Sequence, residues 1–457
     1  MRIKLPIEMT VGELRRAVGA SGTEDPRPIH FLSTDTRSLL PGDLFWALHG
    51  ERDDGHRYLM AAQDAKAAAI LSESDIPGQL RVKNTHAALL ALAGYTLKKR
   101  RIPVVAVTGS VGKTGAKDAV AAALSPHFTV HKTSENENNE IGVAKTVLSR
   151  PQSATLLVIE MGTNHKGEIA PLSLAVRPDL AIITAIGSAH IGAFGSKEAI
   201  LEEKAHITDG MAGEGKLLLS ANDPLLAGYR QHSAEYIGID TPADFMARGI
   251  FSSRFGTSYT LLHAGTERRI FLHGAGRPRV FSSLFALAAA THFGVPHTAA
   301  AGALLQMTHA AGRGSIHEVG GILLIDDAYN SSPEAVAEGL GLLSSVAAGR
   351  RRIAVLGDML ELGKDADKHH REIGRLAARH SDAVFAFGKL ADKVAAGAQD
   401  AKMASEHIKI FENAEDCALG LIPLLSDGDA VLVKASNALG GDRIVAAIRA
   451  LDGSTPE

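Results

Sequence analysis

The chain has 457 residues, too many for one ordinary hydrophobic core, and its length alone suggests about three domains. With 48 Lys and Arg against 51 Asp and Glu, and 45% apolar residues, it has a globular composition with no electrostatic drive toward nucleic acid. The one cysteine, Cys417, excludes an internal disulfide and fits a reducing cytoplasm; no apolar run is long enough to span a membrane, and Met1–Thr10 carries none that would serve as a signal peptide.

In chain order, the spacing predicts a helix over Val11–Val18, a strand at Leu44–Leu48, and helices over Tyr58–Asp64 and Thr85–Leu97 with a strand, Ala68–Leu71, between them. Two polar loops, Ser33–Arg37 and Gly50–His56, suit simple turns and ligand contacts equally well. The basic run Lys98–Arg101 reads as a linker with a solvated face. Strands at Pro103–Thr108, Thr155–Glu160, Leu180–Ile186 and Lys216–Ser220 then alternate with helical stretches at Lys117–Leu124, Gly142–Leu148, Gly167–Val176 and Lys197–His206. Such alternation argues a doubly wound parallel sheet, which binds ligands beyond the carboxyl ends of its strands. Arg230–Gly276 is less regular and reads as a β excursion. After Gly312 the pattern restarts, with strands at Ile322–Asp326, Arg352–Leu356, Val384–Phe387 and Ala430–Val433. Helices are expected there at Pro333–Ala347, Ala366–His380, Leu390–Gly397 and Asp442–Leu451. The expected domains are residues 1–98, 99–312 and 313–457.

The most informative stretch is Pro103–Thr114, a buried β-branched strand, a glycine turn and a helix opening on Lys113 and Thr114. Gly109 and Gly112 let the backbone curl so that successive amides, through Ser110 and Val111, line one concavity at the positive end of a helix. Lys113 brings a mobile charge for outer phosphates, and the Thr114 hydroxyl suits Mg²⁺. The pattern is a shortened phosphate loop, Gly-x-x-Gly-Lys-Thr, with Val107 where the first glycine of the longer form falls. ATP is the expected ligand.

Other candidates stand at strand ends. Glu160 is either a strand-end surface acid or a carboxylate that holds Mg²⁺, and it and the Gly187–His190 turn are expected to face the phosphate loop. His190 and Lys204, taken alone, read as a structural histidine and a solvated lysine. The amide-rich loop Thr133–Gly142, with Asn138, Asn139 and Glu140, suits either a polar substrate or a helix cap. Arg313 is placed to reach phosphates bidentately, and Asp327 and Asn330 follow a strand where a ribose or base is met. Asp358 and Lys434 stand in two further strand-end motifs, Gly357-Asp-Met and Lys434-Ala-Ser.

These motifs, in this order, resemble those of the Mur ligase family over nearly the whole length, and most of all its D-alanyl-D-alanine-adding branch. The resemblance is carried by Ser33-Thr-Asp-Thr-Arg, Pro41-Gly-Asp-Leu-Phe and Gly50-Glu-Arg-Asp-Asp-Gly-His at the N-terminal end. Thr108-Gly-Ser-Val-Gly-Lys-Thr, Asn138-Asn-Glu-Ile-Gly, Glu160-Met-Gly and Ala189-His with Phe194-Gly-Ser carry it in the middle. Asp326-Asp-Ala-Tyr-Asn, Leu356-Gly-Asp-Met-Leu-Glu-Leu-Gly and Val433-Lys complete it. The Asp-Asn-Pro-Arg signature of the diaminopimelate- or lysine-adding branch is absent from the sequence. The implied fold is α/β in three domains: a small N-terminal domain for the UDP-linked substrate, a central P-loop-type parallel-sheet ATPase domain, and a C-terminal Rossmann-like domain.

The implied reaction joins D-alanyl-D-alanine to a UDP-N-acetylmuramoyl tripeptide in peptidoglycan precursor synthesis, using ATP and Mg²⁺ through an acyl phosphate, in a cytoplasmic monomer. A diverged paralogue joining another amine, and a nucleotide-binding scaffold, are the alternatives. By carry-over, Lys113, His190 and Lys204 are catalytic. Gly109, Ser110, Val111, Gly112, Lys113, Thr114, Ser282, Arg313, Asp327 and Asn330 contact ATP. Thr114, Glu160, His190 and Lys204, the last as a carbamate, hold metal. Ser33, Thr36, Arg37, Asn138, Asn139 and Glu140 contact the substrate.

The chain departs from the family's pattern at several positions. Gly115 replaces a threonine, and Pro278-Arg279-Val280-Phe281-Ser282 replaces His-Asn-Val-x-Asn, so that Ser282 stands for an asparagine near adenine. Gly192 stands where glutamate is common, and Glu135 and Asn437 where glycine and arginine are usual. A serine in place of an amide removes one hydrogen bond, about 0.5–1.5 kcal/mol of nucleotide affinity.

Overall fold

The computed structural model describes all residues except 51–52, 77–78, 212, 308–311 and 453–457. The chain divides into two compact units, one of residues 1–108, 124–183 and 202–218, the other of residues 109–123, 184–201 and 219–457.

The first unit opens with strands β1 (Arg2–Thr10), β2 (Pro28–Ser33), β3 (Leu44–Trp46), β4 (Ala69–Ser72) and β5 (Leu80–Arg81), paired in that order. β1 and β2 are antiparallel, and β2 to β5 run parallel. Thr10 and Glu13 form a reciprocal capping box that starts the Val11–Val18 helix where the sequence places it. Trp46 is fully buried, and its indole N–H donates to Thr85 O at 3.0 Å, tying this sheet to the Thr85–Lys99 helix. That helix runs through Lys98 and Lys99, so the basic run begins as a last helical turn, where cations complement the helix dipole, and not as a linker.

The same unit holds β6 (Val104–Thr108), β7 (Val130–Lys132), β8 (Leu156–Glu160), β9 (Leu180–Ile183) and the start of β10 (Lys216–Ser220), in the order β10-β9-β6-β8-β7. β9, β6, β8 and β7 are parallel neighbours. Val104, Val105 and Val107 are wholly buried, each side chain contributing about 1.5–3 kcal/mol by leaving water.

In the second unit β11 (Ala234–Ile239), β12 (Phe245–Ser253), β13 (Gly256–His263) and β14 (Thr266–Leu272) form the expected β excursion, antiparallel from β12 onward. The six-stranded sheet of β15 (Ser315–Val319), β16 (Ile322–Asp327), β17 (Arg351–Gly357), β18 (Ala383–Phe387), β19 (Ile408–Phe411) and β20 (Asp429–Lys434) has the order β15-β16-β20-β17-β18-β19. All its pairs but β15–β16 are parallel. Helices Pro333–Val346, Ala366–His380, Ala391–Asp400 and Gly441–Arg449 follow the expected spans closely.

Strands β1, β5, β7, β15 and β19 escape the spacing analysis, and each lies at an outer edge of its strand order. An edge strand needs one neighbour only, so polar residues break its apolar run. β2 escapes it as well, because exposed Pro28 and His30 flank its first buried residue, Ile29, and break the apolar run. The Arg277–His292 helix is missed for the opposite reason: Ser282 to Ala290 are all buried, which leaves no polar face to set a helical period.

Cys417 is fully enclosed in the C-terminal core, and burial pushes its thiol up to about 12. Alkylation with iodoacetamide at mildly alkaline pH should therefore be slower in the native protein than in denaturant by about 1000-fold, read by mass spectrometry.

Candidate active site

The phosphate loop belongs to the second unit. Gly109 and Gly112 hold φ of 147° and 85°, in the region that L side chains rarely enter. A Cβ at Gly109 would lie 2.0 Å from Thr184 Oγ1, so only glycine fits. Thr184 Oγ1 donates to Val111 O at 2.6 Å, and Ser110 N donates to Ala185 O at 2.8 Å, which fastens the loop to the chain just beyond β9. Lys113 opens the helix and folds its ammonium back onto Gly109 O at 2.7 Å, over the turn it serves. The Thr114 side chain is buried beneath.

Beside the loop runs the Gly187–His190 turn, as the sequence places it. Ile186 N donates to Asp223 Oδ2 at 2.6 Å, and Ser188 N and Oγ donate to Glu334 Oε1 at 2.9 and 3.0 Å. His190 takes a left-handed backbone, φ 60°, and its ring is paired with the Glu361 carboxylate. Burial opposes the Glu334 charge, but its own amide and the Lys197 and Ser188 donors outweigh that and hold the carboxyl below its ordinary value.

At the carboxyl ends of β16 and β20, Asp327 and Lys434 are register partners, with Lys434 Nζ donating to Asp327 Oδ2 at 2.7 Å and to Asn330 O at 3.0 Å. Burial pushes Asp327 above its ordinary value against the pull of Lys434. Arg313 Cζ lies over the Tyr329 ring, 4.1 Å from its centroid, and its carbonyl accepts from Arg279. Burial pushes the Arg279 guanidinium down to about 10. Asp358 instead accepts from Lys389 N and Leu390 N at 2.7 and 3.0 Å, so this strand-end acid caps backbone amides.

The first unit presents a second set. Asn138 Nδ2 donates to Glu160 Oε1 at 2.9 Å, and Glu160 N donates to Thr133 Oγ1 at 3.0 Å. Asn139 is the helix cap, its Oδ1 accepting from Gly142 N at 2.9 Å, whereas the Asn138 amide is turned onto Glu160. Glu140 meets His86 Nδ1 at 2.6 Å. Lys204 is 3% exposed, which overturns its reading as a solvated lysine. Its neighbour Glu203, which the sequence did not single out, accepts from Gly167, Glu168 and Ile169 N at 2.6, 2.9 and 2.9 Å. Ser33 is buried, with its hydroxyl on Met1 O and Asp35 O, and shapes the turn that leaves Arg37 exposed and paired with Asp35. In the Gly50–His56 loop, Glu51 and Arg52 lie outside the described residues; His56 stacks on His49 and its Nδ1 meets Asp54.

The departures noted in the sequence have local counterparts. A Cβ at Gly115 would sit 2.9 Å from Ser282 Oγ, so the two small residues face each other, and with Arg279 they line one cavity of about 20 Å3, room for a water. A Cβ at Gly192 would sit 3.1 Å from Gly363 Cα, so the missing glutamate makes way for backbone. Glu135 has φ 45°, keeping the left-handed turn without the glycine.

A glycine loop that opens a helix after a buried parallel strand, with charged pairs at other strand ends, defines an α/β nucleotide-binding protein. Residues 28–135 match the model of the Mur ligase family catalytic domain, 107–290 the Mur ligase middle domain, and 312–437 the Mur ligase glutamate ligase domain. The chain belongs to the Mur ligase family. It is 34% identical over 443 residues to the UDP-N-acetylmuramoyl-tripeptide–D-alanyl-D-alanine ligase of Bacillus subtilis, covering 95% of this chain and 96% of that one. Against the Escherichia coli protein of the same name identity is 33%, covering 78% of this chain and 81% of that one. Among solved structures, MurF from Acinetobacter baumannii superimposes with a TM-score of 0.89 at 27% identity, covering 98% of this chain and all of that one. MurF from Thermotoga maritima in complex with ADP gives 0.84 at 26% identity, covering 92% and 97%. The expected three-domain α/β fold holds.

Gly109→Ala forces a side chain against Thr184 and should cost about 1–3 kcal/mol in thermal unfolding, with at least tenfold weaker binding of an ATP analogue by calorimetry. Glu203→Ala leaves three amides without their acceptor and should cost about 2–4 kcal/mol in urea unfolding.

Proposed function

We propose that this chain is the ATP-dependent ligase that adds D-alanyl-D-alanine to a UDP-N-acetylmuramoyl tripeptide in peptidoglycan precursor synthesis, acting as a cytoplasmic monomer. The observation that carries the reading is the phosphate loop, with both glycines at positive φ and Lys113 opening the helix. Full-length similarity to curated ligases of that name supports the choice of substrates.

The chemistry is a meeting of anions. The terminal carboxylate of the tripeptide attacks the γ-phosphorus of ATP, and the β–γ bridging bond breaks, giving an acyl phosphate and ADP. The amine of D-alanyl-D-alanine then attacks the acyl carbon, phosphate leaves, and the amine proton passes to a base or to water. Catalysis is thus mostly charge neutralisation and positioning. The Gly109–Gly112 amides and Lys113 take the phosphates, and Arg313, Asp327, Asn330 and Ser282 take the rest of the nucleotide. The hydroxyl of Thr114 and the carboxylate of Glu160 are hard oxygen donors of the kind that would hold Mg²⁺, and the family resemblance gives His190 the same role. When bound there, Mg²⁺ would supply charge neutralisation for the transferring phosphoryl group. A carbamate on Lys204 fits a side chain excluded from bulk water at a site that wants oxygen ligands, since it replaces a buried cation by a bidentate anion. Residues 1–98, 99–312 and 313–457 serve as the substrate, ATP and ligase domains. Thr36, Arg37, Ser33, Asn138, Asn139 and Glu140 form or support the substrate side.

A phosphate-release assay tests the reading: release should require the UDP-linked tripeptide and D-alanyl-D-alanine together. Release with another amine only, or none with intact ATP binding, would replace it by the paralogue or the scaffold. Lys113→Ala should lower turnover by about 100-fold or more with the melting temperature unchanged. Lys204→Ala should regain part of its lost turnover when a short-chain carboxylic acid is added.

A further inference from the structure

The turn that carries His190 has no ladder of its own to hold it. The Ile186 amide that leads into it is taken by Asp223, the cap of the short helix that follows β10. Its Ser188 amide and hydroxyl are taken by Glu334, 146 residues further along the chain. Glu334 Oε1 also accepts from Lys197 Nζ at 3.0 Å, on the helix that follows the turn. One carboxylate oxygen therefore gathers three donors from both flanks of His190.

The position of that carboxylate is built in. Glu334 lies in the first turn of the Pro333–Val346 helix, behind Pro333 at its start and the Ser332 cap, where a negative charge is favoured by the helix dipole. Gly187 makes the approach possible, because a Cβ there would lie 3.0 Å from the Glu334 carboxylate. The second oxygen, Oε2, is enclosed and has no hydrogen-bond partner among the described residues, a cost accepted for the placement of the first. Gly187 O in turn receives Ser110 Oγ of the phosphate loop at 3.5 Å. Glu334, the His190 turn and the phosphate loop thus form one connected chain of contacts.

We propose that Glu334 is a positioning residue for phosphoryl transfer: by holding Ser188 and Lys197 it fixes the turn that presents His190 beside the phosphate loop. The proposal rests on the ligase reading of the site. An element from the C-terminal sheet domain sets the shape of a turn in the nucleotide domain, so the turn is fully formed only while that helix stays seated on it. Removing Glu334 leaves the Gly109–Gly112 amides and Lys113 in place, so the loss falls on kcat and leaves the KM for ATP close to wild type.

The test combines steady-state phosphate release with hydrogen exchange on the full chain. For Glu334→Ala, kcat should fall at least tenfold with the KM for ATP within threefold of wild type, and exchange across Ser188–Phe194 should quicken at least tenfold while the Pro333–Val346 helix stays protected. Glu334→Gln keeps an oxygen for Ser188 and should stay within threefold of wild type in kcat. Glu334→Asp keeps the charge on a shorter arm and should behave like the alanine variant, and it decides the matter if the alanine variant does not fold. Wild-type turnover in Glu334→Ala or Glu334→Asp, or lost turnover with unchanged exchange at the turn, overturns the proposal. Absence of phosphate release in the wild type defeats the ligase reading instead, and the exchange measurement still decides whether Glu334 holds the turn.

Discussion

Backbone amides at the ends of parallel strands are the constraint on which this structure turns. Inside a sheet the N–H groups of a central strand find neighbours, but where the chain enters or leaves the sheet the adjoining amides lose theirs, and a buried one without an acceptor costs about 1–3 kcal/mol. Here distant carboxylates supply the acceptors. Asp179 takes Val104 N at the entry to β6, Glu203 takes three amides at Gly167–Ile169, and Asp223 and Glu334 take those of the His190 turn. Asp358 serves the loop after β18 in the same way. Acidic side chains thus set the loop shapes, and the loops in turn set where Lys113 and His190 sit.

This division explains what the sequence disclosed. Central strands such as β6, β8 and β20 are unbroken apolar runs, buried on both sides, and a run of that kind is legible without a partner. The phosphate loop is legible because its glycines are required by its own backbone, at Gly109 by the nearness of Thr184 and at Gly112 by its positive φ. The carboxylate that serves a loop was not legible. Glu203 and Glu334 look like ordinary surface acids in helical stretches, and nothing local in the sequence ties them to amides 34 to 36 and 146 residues away. Lys204 was misread in isolation for a related reason, since burial of a lysine is a property of what packs around it.

The departures from the family's pattern come in structurally matched sets. Gly115 and Ser282 face each other, so the loss of a side chain on one and the shortening of the other open a single space instead of two separate defects. Gly192 and Gly363 meet backbone to backbone, each allowing the other's approach. Glu135 shows the opposite case, in which a glycine is lost and the left-handed turn is kept, with the strain borne by the surrounding loop. Matching of this kind is what a packed interior demands, because a change on one side of a contact leaves either a void or a clash until the other side answers it.

The same logic bears on the buried charges around Asp327. Arg279 replaces an amide with a group that donates only, and it sits half-buried with its own charge penalised by burial and favoured by Asp327 and Asp118. Asp327 is itself penalised by burial and favoured by Lys434. Neither ion would be tolerable there alone, since an unpaired charge in such a setting shifts toward its neutral form. Set together, the two cations and the acid offset one another. The Lys434–Asp327 ion pair, closed at 2.7 Å, is what lets both charges stand at the buried strand ends.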